Sequence, residues 1–494
     1  MAAVDQQPSQ RDTSKAQAFS VKRAEVEFHN FASLGEPERA IGKYEAENIR
    51  RGEVLRNHLG FLDHQLSPFL EIGANVGHTS YLVANEYGAQ GFALDISADS
   101  LRYGIQLQRY WGYEQAPVRV AGDALNLPFR DGSMRFVMAF QMLSQFMDIE
   151  AVFLEVKRVL APGGVFFFAE EPMRRKLSMR LYRCPYYQNM KPWERKLSDW
   201  GLLGYLVRDV IGAHQEESFG IRQNHRMTIR DWHNLVTKHF VSHEYQMFVP
   251  ERGWGESIPK AIFRKLDRLD SDWLPSRMLG GTLAAFCKKA GEYKPEAFDL
   301  AKFETYLRCP DCGGSLRRDA DETLRCNACT YDAPNEGGVY NLLPAAERAE
   351  LYPGDRDDII DFSLPGHAAH LKEGWFELEG IHGNKYRWIS DRATAELKRV
   401  KDGPQRLRVR GLATETFLSQ GSASGVTPAV KINVNGQQIG SWNIDRTGVF
   451  VLETDVPHAD DYQIEIQAAP VWMVPTDDRK MSVNISMIRL VPRD

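Results

Sequence analysis

The chain reads as an α/β protein built on a mostly parallel sheet, followed by a compact cysteine unit and an all-β C-terminal domain. Three observations point there. Between Phe69 and Ala169 short apolar runs alternate with helical patterns, and several of these runs end in an acid or enter a glycine turn. Four cysteines are spaced C-x2-C-x13-C-x2-C from Cys309 to Cys329. From Asp355 onward, apolar and polar residues alternate with period two.

Composition bounds the reading. With 494 residues, 43% of them hydrophobic, the chain can bury several cores, and a net charge of −5 argues against a broad nucleic-acid-binding surface. Residues 1–20 are polar and lack the apolar centre of a secretory signal, so they read as a disordered tail. No stretch offers the ~18 consecutive apolar residues of a membrane span. Six cysteines, four of them in two close pairs, fit a reducing and therefore cytoplasmic setting with a metal site better than a disulfide framework.

The segment from Phe28 to Leu62 is helical in pattern, with Ile41, Tyr44, Ile49 and Leu55 among charges. It covers either the sheet edge or a ligand cleft. Next comes Phe69-Leu70-Glu71-Ile72-Gly73-Ala74-Asn75-Val76-Gly77, an apolar strand entering a glycine turn, and then a helix from Thr79. Gly73 and Gly77 let a backbone approach a ligand closely. The G-x-N-x-G spacing is not the G-x-G-x-x-G of a dinucleotide loop. Glu71 at the strand end suits an ammonium group better than a phosphate, and Asn75 tolerates a left-handed backbone.

The second strand, Gly91 to Asp95, ends in a carboxylate about twenty residues beyond the glycine turn, the place from which an acid binds ribose hydroxyls. A third strand, Pro117 to Val120, leads into Gly122-Asp123-Ala124-Leu125-Asn126-Leu127-Pro128-Phe129. The fourth strand is Arg135 to Phe140, and its helix buries Val152, Phe153, Val156, Val159 and Leu160. Pro162-Gly163-Gly164 stops that helix before a fully apolar fifth strand, Val165 to Ala169, closed by Glu170-Glu171.

The E-x-G-x-N-x-G turn resembles motif I of the class I S-adenosylmethionine-dependent methyltransferases. The sequence as far as Leu160 resembles their type 11 subfamily, with G-D-A-x-x-L-P-F and a helix ending R-V-L-x-P-G-G. The resemblance, which spans about Phe28 to Lys289, implies a Rossmann-like seven-stranded methyltransferase sheet. It implies that the cofactor's aminoacyl end lies on the loop at Gly73, Asn75 and Gly77 with Glu71 facing its amino group. By the same resemblance Asp123 and the Ala124 backbone bind adenine, and Gln141 lines the cofactor. Two positions depart from the pattern: Met134-Arg135 replaces Phe-Asp, and Ser144-Gln145 replaces a His-His pair. The missing histidines leave the catalytic base open.

Candidates for that base are His225, just before a helix capped by Thr228, and Glu171 at the end of the fifth strand, with His214 a competitor. The connection from Met173 to Arg226 is long enough for a lid and rich in aromatics, including Tyr182, Tyr186, Trp193 and Trp200. Strands from Ser242 to Val249 and Thr282 to Cys287 complete the sheet as a hairpin. The first domain is therefore set at 21–292, with its insertion at about 173–226.

Cys309, Cys312, Cys326 and Cys329 offer four thiolates from two knuckles, which fit one structural Zn²⁺ with no open position. The unit, set at 300–350, resembles a Trm112-like zinc ribbon. It is expected to fold separately, so that its loss spares cofactor binding. Residues 355–494 carry alternating strands and an Asn435-Gly436 hairpin turn, and resemble the jelly-roll-like β-sandwich domains that accompany glycan-modifying enzymes. Trp375, Trp388, Trp442 and Trp472 are its candidate sugar-stacking residues.

The expected function is S-adenosylmethionine-dependent methylation, with a sugar hydroxyl of a glycan or glycoconjugate as acceptor. The alternatives are a small metabolite, RNA, or a non-catalytic binding protein.

Overall fold

The structure, a computed structural model, describes residues 22, 37–146, 148–173, 192–193, 196, 227–249, 254–266, 272–294, 298–352, 357–362, 367–381, 384–400, 402–474 and 477–493. The candidate base His225, its competitor His214 and nearly all of the expected lid lie outside these residues. The described chain falls into two compact units, one of residues 41–345 together with Lys22, the other of residues 37–40 and those from 346 onward.

In the first unit, helix α1 (Pro37–Asn57) precedes β1 (Phe69–Ile72), α2 (His78–Tyr87), β2 (Gly91–Asp95), α3 (Ala98–Tyr110), β3 (Val118–Ala121), β4 (Met134–Phe140), α4 (Ile149–Val159) and β5 (Leu160–Met173). There follow α5 (Ile229–His239), β6 (Ser242–Phe248), α6 (Trp254–Leu266), α7 (Trp273–Leu279) and β7 (Gly281–Lys288). After these come four short strands, β8 (Leu316–Arg318), β9 (Leu324–Cys326), β10 (Asp332–Ala333) and β11 (Val339–Asn341).

Seven strands were expected in the main sheet, and among the described residues it has eight, in the order β11-β3-β2-β1-β4-β5-β7-β6. Pairs from β11 to β5 are parallel, whereas β5–β7 and β7–β6 are antiparallel, so the expected hairpin closes one edge. The extra strand comes from the segment after the cysteines and pairs Val339 with Arg119. A three-residue strand carries no usable periodicity, which is why the sequence did not reveal it.

Central strands β1, β2 and β4 are buried at every residue, as a sheet covered on both faces requires. Helix α4 is amphipathic: Val152, Phe153, Val156 and Val159 are fully buried, each contributing roughly 1.5–3 kcal/mol. Asp148 caps its start by accepting from the Ala151 N–H at 3.1 Å. The expected Thr228 cap of α5 is present as a capping box with Asp231. Arg135, the departure at the start of β4, is buried at the end of the strand away from the glycine turn. It donates to Gly163 O at 2.5 Å and Leu62 O at 2.8 Å.

The second unit contains α8 (Ala345–Leu351), which begins at the unit boundary, β12 (Ile359–Asp361), β13 (Trp375–Ile381), β14 (Asn384–Ile389), β15 (Arg392–Lys398), β16 (Gln405–Ala413) and α9 (Glu415–Ser424). It ends with β17 (Ala429–Val434), β18 (Gln437–Asn443), β19 (Gly448–Asp455), β20 (Asp461–Ala469), β21 (Trp472–Val474), β22 (Asp477–Met481) and β23 (Asn484–Pro492). Six of these strands form one sheet, β13-β14-β23-β16-β19 with β12 also on β23, and four form another, β15-β20-β17-β18. Leu407, Val409 and Ile485 of the first sheet share a core with Ile432, Ile464 and Ile466 of the second. No helix of the described residues is long and apolar enough to cross a membrane.

Candidate active site

The C-terminal ends of β1 to β5 form one rim, and three non-glycine residues there have left-handed backbone. Of the seven non-glycine residues with positive φ among the described residues, Asn75 (52°), Gln141 (53°) and Glu170 (66°) follow β1, follow β4 and lie near the end of β5. Such residues persist where the surrounding structure holds them, and they gather at functional edges.

The glycine turn is shaped as the sequence required. Gly73 has φ 66°, and a Cβ there would lie 3.0 Å from the Met142 side chain. A side chain at Gly73 therefore meets both backbone strain and a neighbour. Helix α3 approaches the turn through Gly104, where a Cβ would stand 1.9 Å from Val76 O. That close approach left no recognisable signal in the sequence.

Three acids lie at or just after the ends of β1, β2 and β3. Glu71 is buried, and its Oε2 accepts from the Ser80 N–H (2.8 Å) and Ser80 hydroxyl (2.5 Å), tying β1 to the start of α2. Burial lifts its pKa to about 7 against the pull of the Ser80 hydrogen bonds. Asp95 accepts from the Asn75 N–H at 2.6 Å and the Ser97 N–H at 2.8 Å, so it ties the second strand end to the turn. Asp123 Oδ1 accepts from the Leu125 N–H at 2.9 Å, its Oδ2 lies 2.8 Å from Lys22 Nζ, and Ala124 beside it is buried. The Gln141 N–H donates to Ala169 O at 3.0 Å, joining the ends of β4 and β5.

Glu171 requires a correction. It is fully buried, with Oε1 accepting from the Met142 and Leu143 N–H groups (2.9 and 2.8 Å) and Oε2 from the Ser144 N–H at 3.0 Å. Burial raises its pKa to about 7 against these donors. This carboxyl holds the turn after β4 and does not reach the crevice as a base. A register shift in the β5–β7 pairing between Phe168 and Glu171 explains the misreading: the bulge turns Glu170, not Glu171, to the rim.

Glu170 in turn anchors a charged cluster that sequence reasoning missed. Arg50 pairs with it through Nε at 2.8 Å, and Arg51 Nη2 meets its other oxygen at 2.7 Å. Arg51 also contacts His78 Nε2 (2.8 Å), the Thr79 hydroxyl (2.9 Å) and Glu47 (3.3 Å), with its guanidinium 4.4 Å from the Phe140 ring centre. Burial favours the neutral form of Glu47, but the His78 hydrogen bond and Arg51 outweigh it and hold the pKa at about 2. Burial pushes His78 down to about 4. Cluster and glycine turn meet at His78 and Thr79. The available signal was the i, i+4 pair Glu47 and Arg51 on α1.

The four cysteines converge, with all sulfurs within 4.8 Å of one another. Cys309 and Cys329 are 3.7 Å apart at sulfur, and Cys312 and Cys326 3.5 Å. Four sulfurs at ~2.3 Å from a tetrahedral ion would stand about 3.8 Å apart, so the set fits Zn²⁺. A Cβ on Gly314 would come within 3.2 Å of two of these sulfurs, so the turn leaves no room beside them. The cysteine unit shares one core with the sheet, since Leu307, Cys309, Leu324 and Tyr340 cluster with Phe92, Leu127 and Phe129.

Residues 70–168 match the family model of a methyltransferase domain. Norajmaline N-methyltransferase of Rauvolfia serpentina is 31% identical over 128 residues, 26% of this chain and 41% of that protein. The fatty-acid O-methyltransferase of Mycolicibacterium smegmatis is 27% identical over 182 residues, 36% of this chain and 60% of that protein. The chain thus spans less than two thirds of the length of these relatives. Among solved structures, geranyl diphosphate C-methyltransferase from Streptomyces coelicolor A3(2), in complex with Mg²⁺, geranyl diphosphate and S-adenosyl-L-homocysteine, shares 15% identity. The alignment covers 52% of this chain and 88% of that one, with a TM-score of 0.32.

Proposed function

We propose that the protein is an S-adenosylmethionine-dependent methyltransferase acting on a small-molecule acceptor. The observation that carries this reading is a strained glycine turn tied to the second strand end through Asp95, with Glu71 bonded to the helix that follows it, within the stretch that matches a methyltransferase domain. The bound cofactor would supply an electrophilic methyl group on a sulfonium, and transfer to a nucleophile then depends mainly on alignment.

Gly73, Asn75 and Gly77 leave the turn bare for the aminoacyl end, with Glu71 beneath it. Asp95 would hold the ribose hydroxyls, and Asp123 with the Ala124 backbone would hold adenine. Gln141 would line the pocket from the β4 side. Arg50 and Arg51 keep Glu170 ionised and fixed at the rim, where an acceptor enters. No base is assigned among the described residues. His225 is retained as a candidate from the sequence, for an acceptor that must lose a hydroxyl proton. Four cysteines arranged to hold one structural Zn²⁺ would suit a reducing, cytoplasmic setting.

The relatives' names favour small acceptors. The alternative, a sugar hydroxyl of a glycan, rests on the paired C-terminal sheets. Its tryptophans give that alternative little support: Trp388 is buried, and Trp375, Trp388 and Trp472 spend their indole N–H groups on Thr394 O, Glu379 and Ser482 O. Calorimetric titration with S-adenosylmethionine should give saturable heat for the wild type and none for Gly73→Arg. Equal traces would refute the cofactor assignment. Methyl-labelled cofactor incubated with fractionated extract should label the small-molecule fraction, and label in the carbohydrate fraction would select the glycan alternative.

A further inference from the structure

Two stretches of the cysteine unit grip the two ends of the loop that carries Asp123. At one end β11 pairs with β3, and the Leu342 N–H donates to Ala121 O at 2.7 Å. At the other, the Arg308 N–H donates to Pro128 O at 3.1 Å, its guanidinium reaches Leu127 O at 3.3 Å, and Leu307 bridges Phe129. The link nearest the acid passes through the first cysteine knuckle. Asn126 Nδ2 donates to Pro310 O at 3.1 Å, and Pro310 lies between Cys309 and Cys312. The Asn126 N–H then donates to the Asp123 carbonyl at 3.1 Å.

The cysteine unit has little secondary structure with which to hold this shape. Its strands β8, β9 and β10 are three, three and two residues long. A segment so small takes much of its folding free energy from a bound ion. Losing the ion relaxes the knuckle, and with it the Pro310 carbonyl. The loop then loses ties at both ends, so a ligand that needs Asp123 in place must order the loop on binding.

We propose that metal loading of the four-cysteine unit sets the affinity of the cofactor site, with Asn126 as the positioning residue that passes the state of the knuckle to Asp123. This rests on the cofactor reading above, and it replaces the expectation that the unit folds independently of that site.

The test uses the full chain, zinc-loaded or stripped with a chelator. It is titrated with S-adenosylhomocysteine while amide exchange is followed at residues 121–129. Stripping should weaken binding roughly tenfold and speed exchange in that loop, and restoring Zn²⁺ should reverse both. Asn126→Ala should keep its zinc and its thermal transition yet bind the ligand several-fold more weakly, which a merely structural role of the unit would not produce. Unchanged affinity in stripped protein and in Asn126→Ala would overturn the proposal. If zinc-loaded wild type binds no ligand, the cofactor reading fails instead. Exchange at 121–129 then decides the coupling alone: faster exchange on stripping supports it, and unchanged exchange refutes it.

Discussion

The two sides of the crevice are held by different means. On the β1–β2–β3 side, short acids accept main-chain N–H groups from loops within a few residues of the strand ends, as Asp95 does from Asn75 and Ser97. On the β4–β5 side, long charged side chains from α1 reach across to β5, as Arg50 and Arg51 do to Glu170. The first arrangement fixes backbone and tolerates a neutral amide in place of an acid. The second buries the Arg51 and Glu170 charges, which then depend on each other, while Arg50 stays half exposed.

The sharpest way to break that contrast is Arg51→Met. It strands Glu170 and Glu47 without their buried cation, and should cost about 3–5 kcal/mol in denaturant unfolding. A loss below about 1 kcal/mol would mean that solvent reaches the cluster and that the two sides are alike.

Glu171 shows where the sequence was legible and where it was not. Strand-end acids at Glu71, Asp95 and Asp123, the left-handed Asn75 and the two cysteine pairs were all readable, because each depends on spacing within one short segment. The sequence also located the end of β5, but which of two adjacent glutamates faces the crevice depends on a bulge set by pairing with β7, more than a hundred residues later in the chain. Arg51 and Gly104 escaped notice for a related reason. What they touch is decided by packing between segments, and neither carries a local signature. For the cysteine unit, spacing within the motif suggests a metal site, but it carries no information about the sheet edge that β11 joins.

A smaller effect depends on pH and, because burial raises Glu71 on the other side in the same way, it is isolated by changing Glu171 alone. Folding raises Glu171 from its ordinary 4.5 to about 7, so between those values the native chain holds a proton that the unfolded chain has lost. Raising pH through this window therefore removes stability, by at most about 3.4 kcal/mol. Glu171→Gln deletes that dependence. Unfolding midpoints of wild type and variant should accordingly diverge as pH rises from 4.5 to 7, the wild type losing more than the variant. Parallel curves would show that the three backbone donors keep Glu171 ionised.

The mildest change belongs to the main-chain side. Asp95→Asn keeps one acceptor oxygen for the turn, so the fold should persist while affinity for S-adenosylhomocysteine falls by roughly tenfold, about 1.4 kcal/mol. A loss of folding instead would place Asp95 with the buried charges.

The pairing of Arg119 with Val339 also bears on how the protein is made. During translation the β3 edge is finished long before its covering strand leaves the ribosome, and until then it presents unpaired main-chain donors and acceptors of the kind that recruit foreign strands. A fragment cut at the apparent domain boundary near residue 292 would keep that exposure permanently, and would also uncover Phe92 and Phe129, which pack against Phe298 and Leu307. Such a truncated chain should accumulate as aggregate, whereas one ending after Ala345 retains its closed edge. For recombinant work, the cysteine unit belongs with residues 41–292.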